Sequence, residues 1–416
     1  MTDGARPPAL IALSSDHAAA ILATAVFVAL GLARDVVGSV EFAWVAVSAQ
    51  VGPGRVSGDP SLVPYMLGFL HWVIGDVMWA GRALGVLSGV SIVVFSTRLF
   101  GPWAGLWAMA QLPLLTGVVL ADPSLPALAF LMATLSLGRR GHSVLAGFCG
   151  AAAVGCGSWM LPVAFVAVGL AHHRWRTLVA FGAVSGSLFA LGVPIVPALA
   201  VPSEPAALLA NFTWDWALVL GAAALVWGAL RRSRPSRLLL SMVLVSILGA
   251  AVTPSVPKTF IHLQLLLALG VAAVEVGPAL LLGALVTLGL RLPDVYIPSA
   301  EEAGRAQVIA AMSGRQGKAM CTTRTFVRPS DDGWLRPCVG LSTSTRRAES
   351  WRPEDVLAAT ERLGARWFAV DRASVLSHYL NLQPLLEDSP PPGFELVASA
   401  SGWRVFSVES AQRREP

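Results

Sequence analysis

Between residues 17 and 290 the chain repeats one pattern: apolar runs of 12 to 20 residues parted by short stretches of proline, glycine and polar positions. A helix needs about 20 apolar residues to cross the hydrocarbon core of a bilayer. The runs His17–Ala33, Trp79–Thr97, Trp103–Leu120, Pro123–Leu137, Val144–Gly157 and Met160–Ala171 predict six spans. Thr177–Val196, Trp216–Leu230, Leu238–Thr253, Thr259–Val274 and Val276–Leu290 predict five more, eleven in all. The shortest need tilt or local thinning of the bilayer. Phe100-Gly101-Pro102 and Asp122-Pro123 mark hairpins, because proline and glycine interrupt the helical pattern.

One polar insertion breaks this rhythm, the stretch from Arg34 to Met78 between the first two spans. Its last part, Pro64–Met78, is apolar but only about 15 residues long, too short for a span. A polar strip at His71, Gly75 and Asp76 predicts a helix lying in the membrane interface instead. That reading puts the whole 34–78 loop, with its acids Asp35, Glu41 and Asp59, on the outer side of the membrane.

After Leu290 the pattern changes to that of an α/β module. Pro353–Leu363 is a short amphipathic helix, preceded by the capping pattern Ser350-Trp351-Arg352-Pro353-Glu354. Arg366–Val370, Phe394–Val397 and Trp403–Val408 are strand-like, and Pro390-Pro391-Pro392-Gly393 forms a turn before the second of these. The sequence holds no internal repeat, phosphate-binding glycine loop or zinc-ligand spacing.

Composition agrees with this division. The chain is 55% hydrophobic and 13% charged, with a mean hydropathy of +0.65, values that exclude an ordinary soluble domain. Residues 1–290 carry 24 charged side chains and residues 291–416 carry 31. The boundary between a membrane module (1–290) and a water-soluble module (291–416) is thus drawn at Leu290. A net charge of +5 is explained by loop arginines and does not argue for nucleic acid.

Those arginines also orient the chain. Arg98, Arg139-Arg140, Arg174 with Arg176, and the cluster Arg231 to Arg237 recur after every second span, which places them together on the cytoplasmic side. The tail after Leu290 is then outside. The first apolar run reads as a retained span rather than a removed signal. Cys149 and Cys156 read as small buried residues within an apolar helix. Cys321 and Cys338, in the tail, are able to pair if the tail is extracytoplasmic and stay reduced if it is not.

Two stretches resemble a known family. Ala80-Gly81-Arg82-Ala83-Leu84 through Thr97-Arg98-Leu99-Phe100-Gly101 resembles the second span of the GT-C superfamily of glycosyltransferases that use polyprenyl-phosphate sugars. The similarity is to the branch of protein O-mannosyltransferases and lipid A aminoarabinose transferases. The outward turn with Asp122, and the tail segment from Leu363 to Arg372, also look like that family. The resemblance implies an inverting, GT-C-like membrane enzyme of about eleven transmembrane helices with a small extracytoplasmic α/β C-terminal domain. It would move a hexosyl or pentosyl group from a polyprenyl-phosphate carrier to an extracytoplasmic lipid, glycan or protein.

Such a reaction needs a carboxylate to take the proton of a weakly nucleophilic acceptor hydroxyl. It also needs cations to hold the departing lipid phosphate. By the resemblance Glu41 is the base or a metal ligand, with Val40 standing where the family has an aspartate, and Asp35 and Asp122 are the other candidate acids. Arg82, Lys258 and His262 are the candidate phosphate-binding residues, and Asp59 a further substrate contact. Plain roles compete at each position: helix capping for Asp122, a turn for Asp59, interfacial anchoring for Arg82, Lys258 and His262. The family's lysine is absent from the turn Gly157-Ser158-Trp159-Met160-Leu161-Pro162. A divalent cation remains an open requirement. The partners implied are the lipid-linked sugar, the acceptor and membrane lipids. Two other classes stay in view, a catalytically degenerate relative acting as a scaffold and a transporter or flippase. Abundant alanine, glycine and arginine with little lysine suggest a bacterial inner membrane.

Overall fold

One helix of this chain turns its small residues inward and its large ones outward. In helix α7 (Ser143–Cys156) the buried side includes Ala146, Gly147, Gly150, Ala151 and Ala153, while Val144, Leu145 and Phe148 are each more than half exposed. A helix folding in water does the reverse. In lipid, association gains little from hiding leucine, and close backbone approach through small residues takes over. The computed structural model describes residues 15–33, 61–193, 216–252, 261–274, 277–296, 300–312, 315, 317–322, 327–329, 335–341 and 350–408. It divides into two compact units. One runs through residues 1–33, 59–63 and 82–295, and the other gathers 34–58, 64–81 and 296–416.

The first unit is helical. Its elements are α1 (Ser15–Ala33), most of α3 (Val77–Phe100), α4 (Pro102–Met109), α5 (Leu112–Val119), α6 (Ser124–Arg139), α7, α8 (Leu161–Gly169) and α9 (Arg174–Ala190), followed by α10 (Trp216–Leu230), α11 (Arg234–Val252), α12 (Ile261–Ala272) and α13 (Gly277–Tyr296). α2 (Val63–Ile74) falls almost wholly in the second unit. Among the described residues α3 is the one helix long and apolar enough by itself to cross a membrane. The others are shorter: α7, with 14 residues, is about 21 Å long at 1.5 Å per residue, against about 30 Å of hydrocarbon. Of the eleven spans expected, α3 is the one that reaches spanning length among the described residues, and the expected run Trp103–Leu120 is broken.

The broken one corrects the expected span Trp103–Leu120. It is two helices of eight residues each, α4 and α5, interrupted at Ala110 and Gln111. Pro113 sits in the first turn of α5, where a missing N–H costs nothing. Gln111 turns its Nε2 back to the Trp107 carbonyl at 2.8 Å, occupying an acceptor that the break exposes. The two halves still act as one antiparallel partner of α3. Gly105 of α4 lies against Thr97, and Val118 of α5 lies against Gly85, where an added Cβ would come within 2.6 Å of the Val118 carbonyl oxygen.

Paired contacts of this kind give the direction of several neighbours. Arg98 pairs with Asp16 at 2.8 Å while Phe27 packs on Gly89, so α1 is antiparallel to α3. The predicted helix Pro64–Met78 is shortened: α2 ends at Ile74, and Asp76 accepts the Trp79 amide at 2.9 Å to cap α3. Tyr65, Phe69, Trp72 and Val73 make its exposed face aromatic and apolar rather than the polar strip expected. Gly138 on Ala146 and Ala171 turns α6 into α7, while Gly147, Gly150 and Gly155 meet Thr177, Phe181 and Leu188 in turn, making α7 and α9 parallel. Gly221 and Gly270 cross backbone on backbone, and Gly228 reaches Val274, so α10 and α12 are parallel too. Arg98, Arg139, Arg140, Arg174, Arg176 and the arginines between α10 and α11 thereby collect at one end. Arg139 also donates to the Leu99 carbonyl at 3.3 Å there.

The second unit contains a mixed five-stranded sheet of order β4-β1-β5-β7-β6. β1 (Lys318–Cys321) lies parallel between β4 (Val339–Gly340) and β5 (Ala365–Asp371), and β7 (Trp403–Val408) is antiparallel to β5 and β6 (Phe394–Ala400). β2 (Val327–Pro329) and β3 (Leu335–Pro337) form a separate hairpin. Phe368, Phe394 and Phe406 stack across the sheet, closed by Val356 of α15 (Pro353–Leu363) and by Leu382 and Leu385 of a 3-10 helix (Leu380–Leu386). α14 (Ala300–Ala311) packs on β6 and β7, and Asp371 caps α16 (Arg372–His378) by accepting from the Ala373 and Ser374 amides. The expected cap of α15 is corrected: the Asp355 carboxylate accepts the Arg352 amide at 3.1 Å, and Ser350 lies outside the cap. The strand expected over Phe394–Val397 runs on to Ala400. Cys321 and Cys338 form a buried disulfide with their Cα atoms 5.8 Å apart, joining the end of β1 to the start of β4.

Gly221→Ala forces a methyl into the Leu267 carbonyl and costs about 1–3 kcal/mol as an overpacked contact. Gly182→Ala, on an open face of α9, gains up to about 1 kcal/mol of helix propensity. Thermal unfolding in detergent should show the first variant several degrees below wild type and the second at or above it. The disulfide closes a loop with a sequence separation of 17, worth about 3 kcal/mol at that size. Reductant should therefore lower the melting temperature of the wild type and leave Cys321→Ser unchanged.

Candidate functional site

The end of the helical unit opposite the arginines is where the described candidate residues fall. There the chain turns from α5 to α6 and from α7 to α8, and α3 and α12 begin. Ala121 sits in the left-handed region at φ 50°, a conformation that costs a residue with a Cβ about 1–3 kcal/mol unless its surroundings hold it. The turn it makes delivers Asp122 into a buried position, 5% exposed. One carboxylate oxygen accepts both the Ser124 amide at 2.8 Å and the Ser124 hydroxyl at 2.5 Å. This is an Asx turn just before α6; the N-cap of that helix is Pro123, so Asp122 lies one residue ahead of the capping position foreseen for it. The turn also fixes the carboxylate in one orientation.

Arg82 lies on α3 one turn before Gly85. Since Gly85 meets Val118 and Gly105 meets Thr97, the same antiparallel register puts Arg82 level with Ala121 and Asp122. Arg82 is half-buried, and its guanidinium carries five N–H donors suited to phosphate or carboxylate.

His262 occupies the first turn of α12 and is 2% exposed. Its ring lies 4.2 Å from that of Trp159, centroid to centroid. Among the described residues its Nδ1 has no hydrogen-bond partner, a buried polar atom that costs about 1–3 kcal/mol while unsatisfied. Trp159 itself is held by a short 3-10 turn, Ser158–Met160, with its indole lying over Gly157, where any side chain would collide. The turn Gly157–Pro162 thus supplies an aromatic wall for the imidazole. α12 packs against α5 and α6, and Trp107 anchors it further along by donating Nε1–H to the Ala268 carbonyl at 2.7 Å.

The structure therefore brings Arg82 and Asp122 to one level and sets His262 against Trp159 at the same end. Glu41, Asp35, Asp59 and Lys258 lie outside the described residues. Trp159 was not foreseen; its signal in the sequence is an aromatic residue in the Gly-Ser-Trp turn between two apolar runs. Among the described residues no three histidine, cysteine, aspartate or glutamate side chains gather as a metal site. The arrangement offers a fixed carboxylate, a multi-donor cation and an imidazole beside an aromatic ring, which suits an anionic, partly apolar ligand.

No protein-family model matches the chain, and no curated protein matches it. A solved structure does: the single-particle cryo-EM structure of the arabinofuranosyltransferase AftD from mycobacteria, with a TM-score of 0.51 and 12% sequence identity. The likeness covers 94% of this chain and 40% of that one, so this chain spans well under half the length of its structural neighbour. At that identity the likeness is one of fold. The chain folds like part of a mycobacterial arabinofuranosyltransferase.

Proposed function

We propose that this chain is a membrane glycosyltransferase of the GT-C kind, moving a sugar from a polyprenyl-phosphate carrier to an extracytoplasmic acceptor. The observation that carries the reading is a fold like part of an arabinofuranosyltransferase; Arg82, Asp122 and His262 at one end of the helical unit are the residues proposed for the site. Close helix contacts through glycine, and α7 with its buried glycine and alanine and its exposed Val144, Leu145 and Phe148, support a lipid surround. The arginines at the other end support its placement on the cytoplasmic side. A buried disulfide in the second unit fits an oxidising compartment outside the cytoplasm. A bacterial inner membrane accords with all three.

In the proposed reaction the acceptor oxygen forms a bond to the anomeric carbon as the bond from that carbon to the phosphate oxygen breaks. The electron pair of that bond goes to the phosphate oxygen, so polyprenyl phosphate leaves as the anion, and a carboxylate takes the acceptor's proton. Arg82 and His262, with Lys258, hold the phosphate, where donors aimed at developing charge act most strongly in a water-poor site. Glu41 is the first candidate for the base. Asp35 and Asp122 are the alternatives, and Asp59 a sugar contact. The Asp122 carboxylate, already bonded to Ser124, is better suited to holding the turn than to taking a proton.

Transfer of labelled sugar from a panel of polyprenyl-phosphate sugars in reconstituted membranes tests this. Glu41→Gln should lose about 10²–10⁴-fold in rate, the span of a general base. Arg82→Gln should lose transfer in the same assay, and Asp122→Asn should lose less than either. Full activity of Glu41→Gln with an inactive Asp122→Asn would move the base to Asp122. Absence of transfer by a correctly inserted wild type, with every donor and an envelope extract as acceptor, would favour the scaffold reading.

A further inference from the structure

The second unit contains a cavity of about 330 Å³ between α16, the 3-10 helix Leu380–Leu386 and the β6–β7 hairpin. Its position is fixed by the chain itself. The Arg372 amide donates to the Gly402 carbonyl at 2.8 Å, tying the start of α16 to the hairpin turn. Gly402 adopts φ 87°, a conformation in which a side chain is strained. Trp403, 1% exposed, forms the floor.

The polar side chains around the cavity are of two kinds. Arg404 is committed: it donates to the Glu387 carbonyl and pairs with Asp388 at 3.4 Å. The Arg372 guanidinium, the Gln383 amide, the Ser399 hydroxyl and the Glu387 carboxylate are not. Each lines the cavity, and among the described residues none makes a side-chain hydrogen bond within the protein. Leu376 and Leu386 supply an apolar wall between them.

Three charged side chains line the cavity, Arg372, Glu387 and Arg404, and the charge of Arg404 is already met by Asp388 beside it, which leaves one arginine and one glutamate to a ligand. A cavity built for phosphate or carboxylate would show an excess of arginine or lysine, and one for a cation an excess of acid. Here donors and acceptors alternate around an apolar patch, and the volume sits at the lower end of small-molecule sites. A neutral ligand with many hydroxyls and one C–H face meets all of these requirements. We propose that this cavity is a saccharide-binding site, holding one or two sugar units of a glycan. Naming a glycan rather than another polyol rests on the transferase reading; the cavity's chemistry does not.

The test uses the full chain in lipid nanodiscs and an array of uncharged arabinofuranose, galactofuranose, mannose and glucose oligomers, followed by calorimetric titration of the best binder. Wild type should bind at least one oligomer, and inorganic phosphate at equal concentration should not compete. Leu376→Trp, which fills the cavity, should abolish binding. Gln383→Ala and Ser399→Ala, at exposed positions that leave the core intact, should each weaken it about three- to tenfold, one neutral hydrogen bond apiece. Melting temperature and a non-reducing gel for the Cys321–Cys338 bridge report folding of every variant. The proposal is overturned if no oligomer binds wild type, if phosphate competes, or if the two alanine variants bind as wild type does. The same titration on Arg82→Gln separates the two proposals. Binding retained without transfer in wild type sinks the transferase alone, and transfer retained without binding sinks the saccharide site alone.

Discussion

Helix backbones brought into contact where no side chain intervenes are the constraint on which the helical unit depends. Gly221 and Gly270 meet across α10 and α12, and Gly85 rests on the Val118 carbonyl across α3 and α5. In lipid such contacts replace the hydrophobic drive that packs helices in water, since leucine gains nothing by leaving one apolar medium for another. Because each contact pairs particular residues, it also fixes direction. Antiparallel α1 and α3, and parallel pairs α7–α9 and α10–α12, follow from which glycine meets which neighbour.

Direction then decides chemistry. With alternating helices the arginine-bearing turns fall at one end and the turns carrying Asp122 and Trp159 at the other. The second end is where the unit departs from regular helix: a left-handed Ala121, a 3-10 turn at Ser158–Met160, and a buried imidazole at the start of α12. Irregular backbone and buried polar atoms are costly in an apolar surround, and are tolerated where protein or a water-filled cavity covers them. Their concentration at one end supports a site there. The break between α4 and α5 is the exception, and its cost is offset locally by Gln111.

Much of the architecture was readable because apolar runs and punctuation coincide with helix ends. Trp216–Leu230 and Pro353–Leu363 match α10 and α15 residue for residue. The break in Trp103–Leu120 was missed because hydropathy runs smoothly through it; Gln111 and Pro113 were the signal, a polar residue and a helix-starting proline inside an apolar stretch. α14 and α16 were missed because they are short, polar and held by the sheet rather than by their own periodicity. At the site, the positions of Arg82, Asp122 and His262 at helix starts were legible from the arginine register. The Trp159–His262 contact was not, since it joins residues on helices far apart in sequence and no periodicity reports it. The cavity beside Arg372 was equally invisible, being assembled from a helix start, a 3-10 helix and a hairpin.

The central claim is that the Asp122 end receives the lipid phosphate. A photoreactive polyprenyl-phosphate sugar analogue, crosslinked to the reconstituted chain and mapped by mass spectrometry, tests it directly. The account predicts labels on peptides carrying Arg82, Asp122, Trp159 and His262, competed away by unlabelled donor. Labels confined to peptides carrying Arg98, Arg139 and Arg231, at the opposite end, would contradict it.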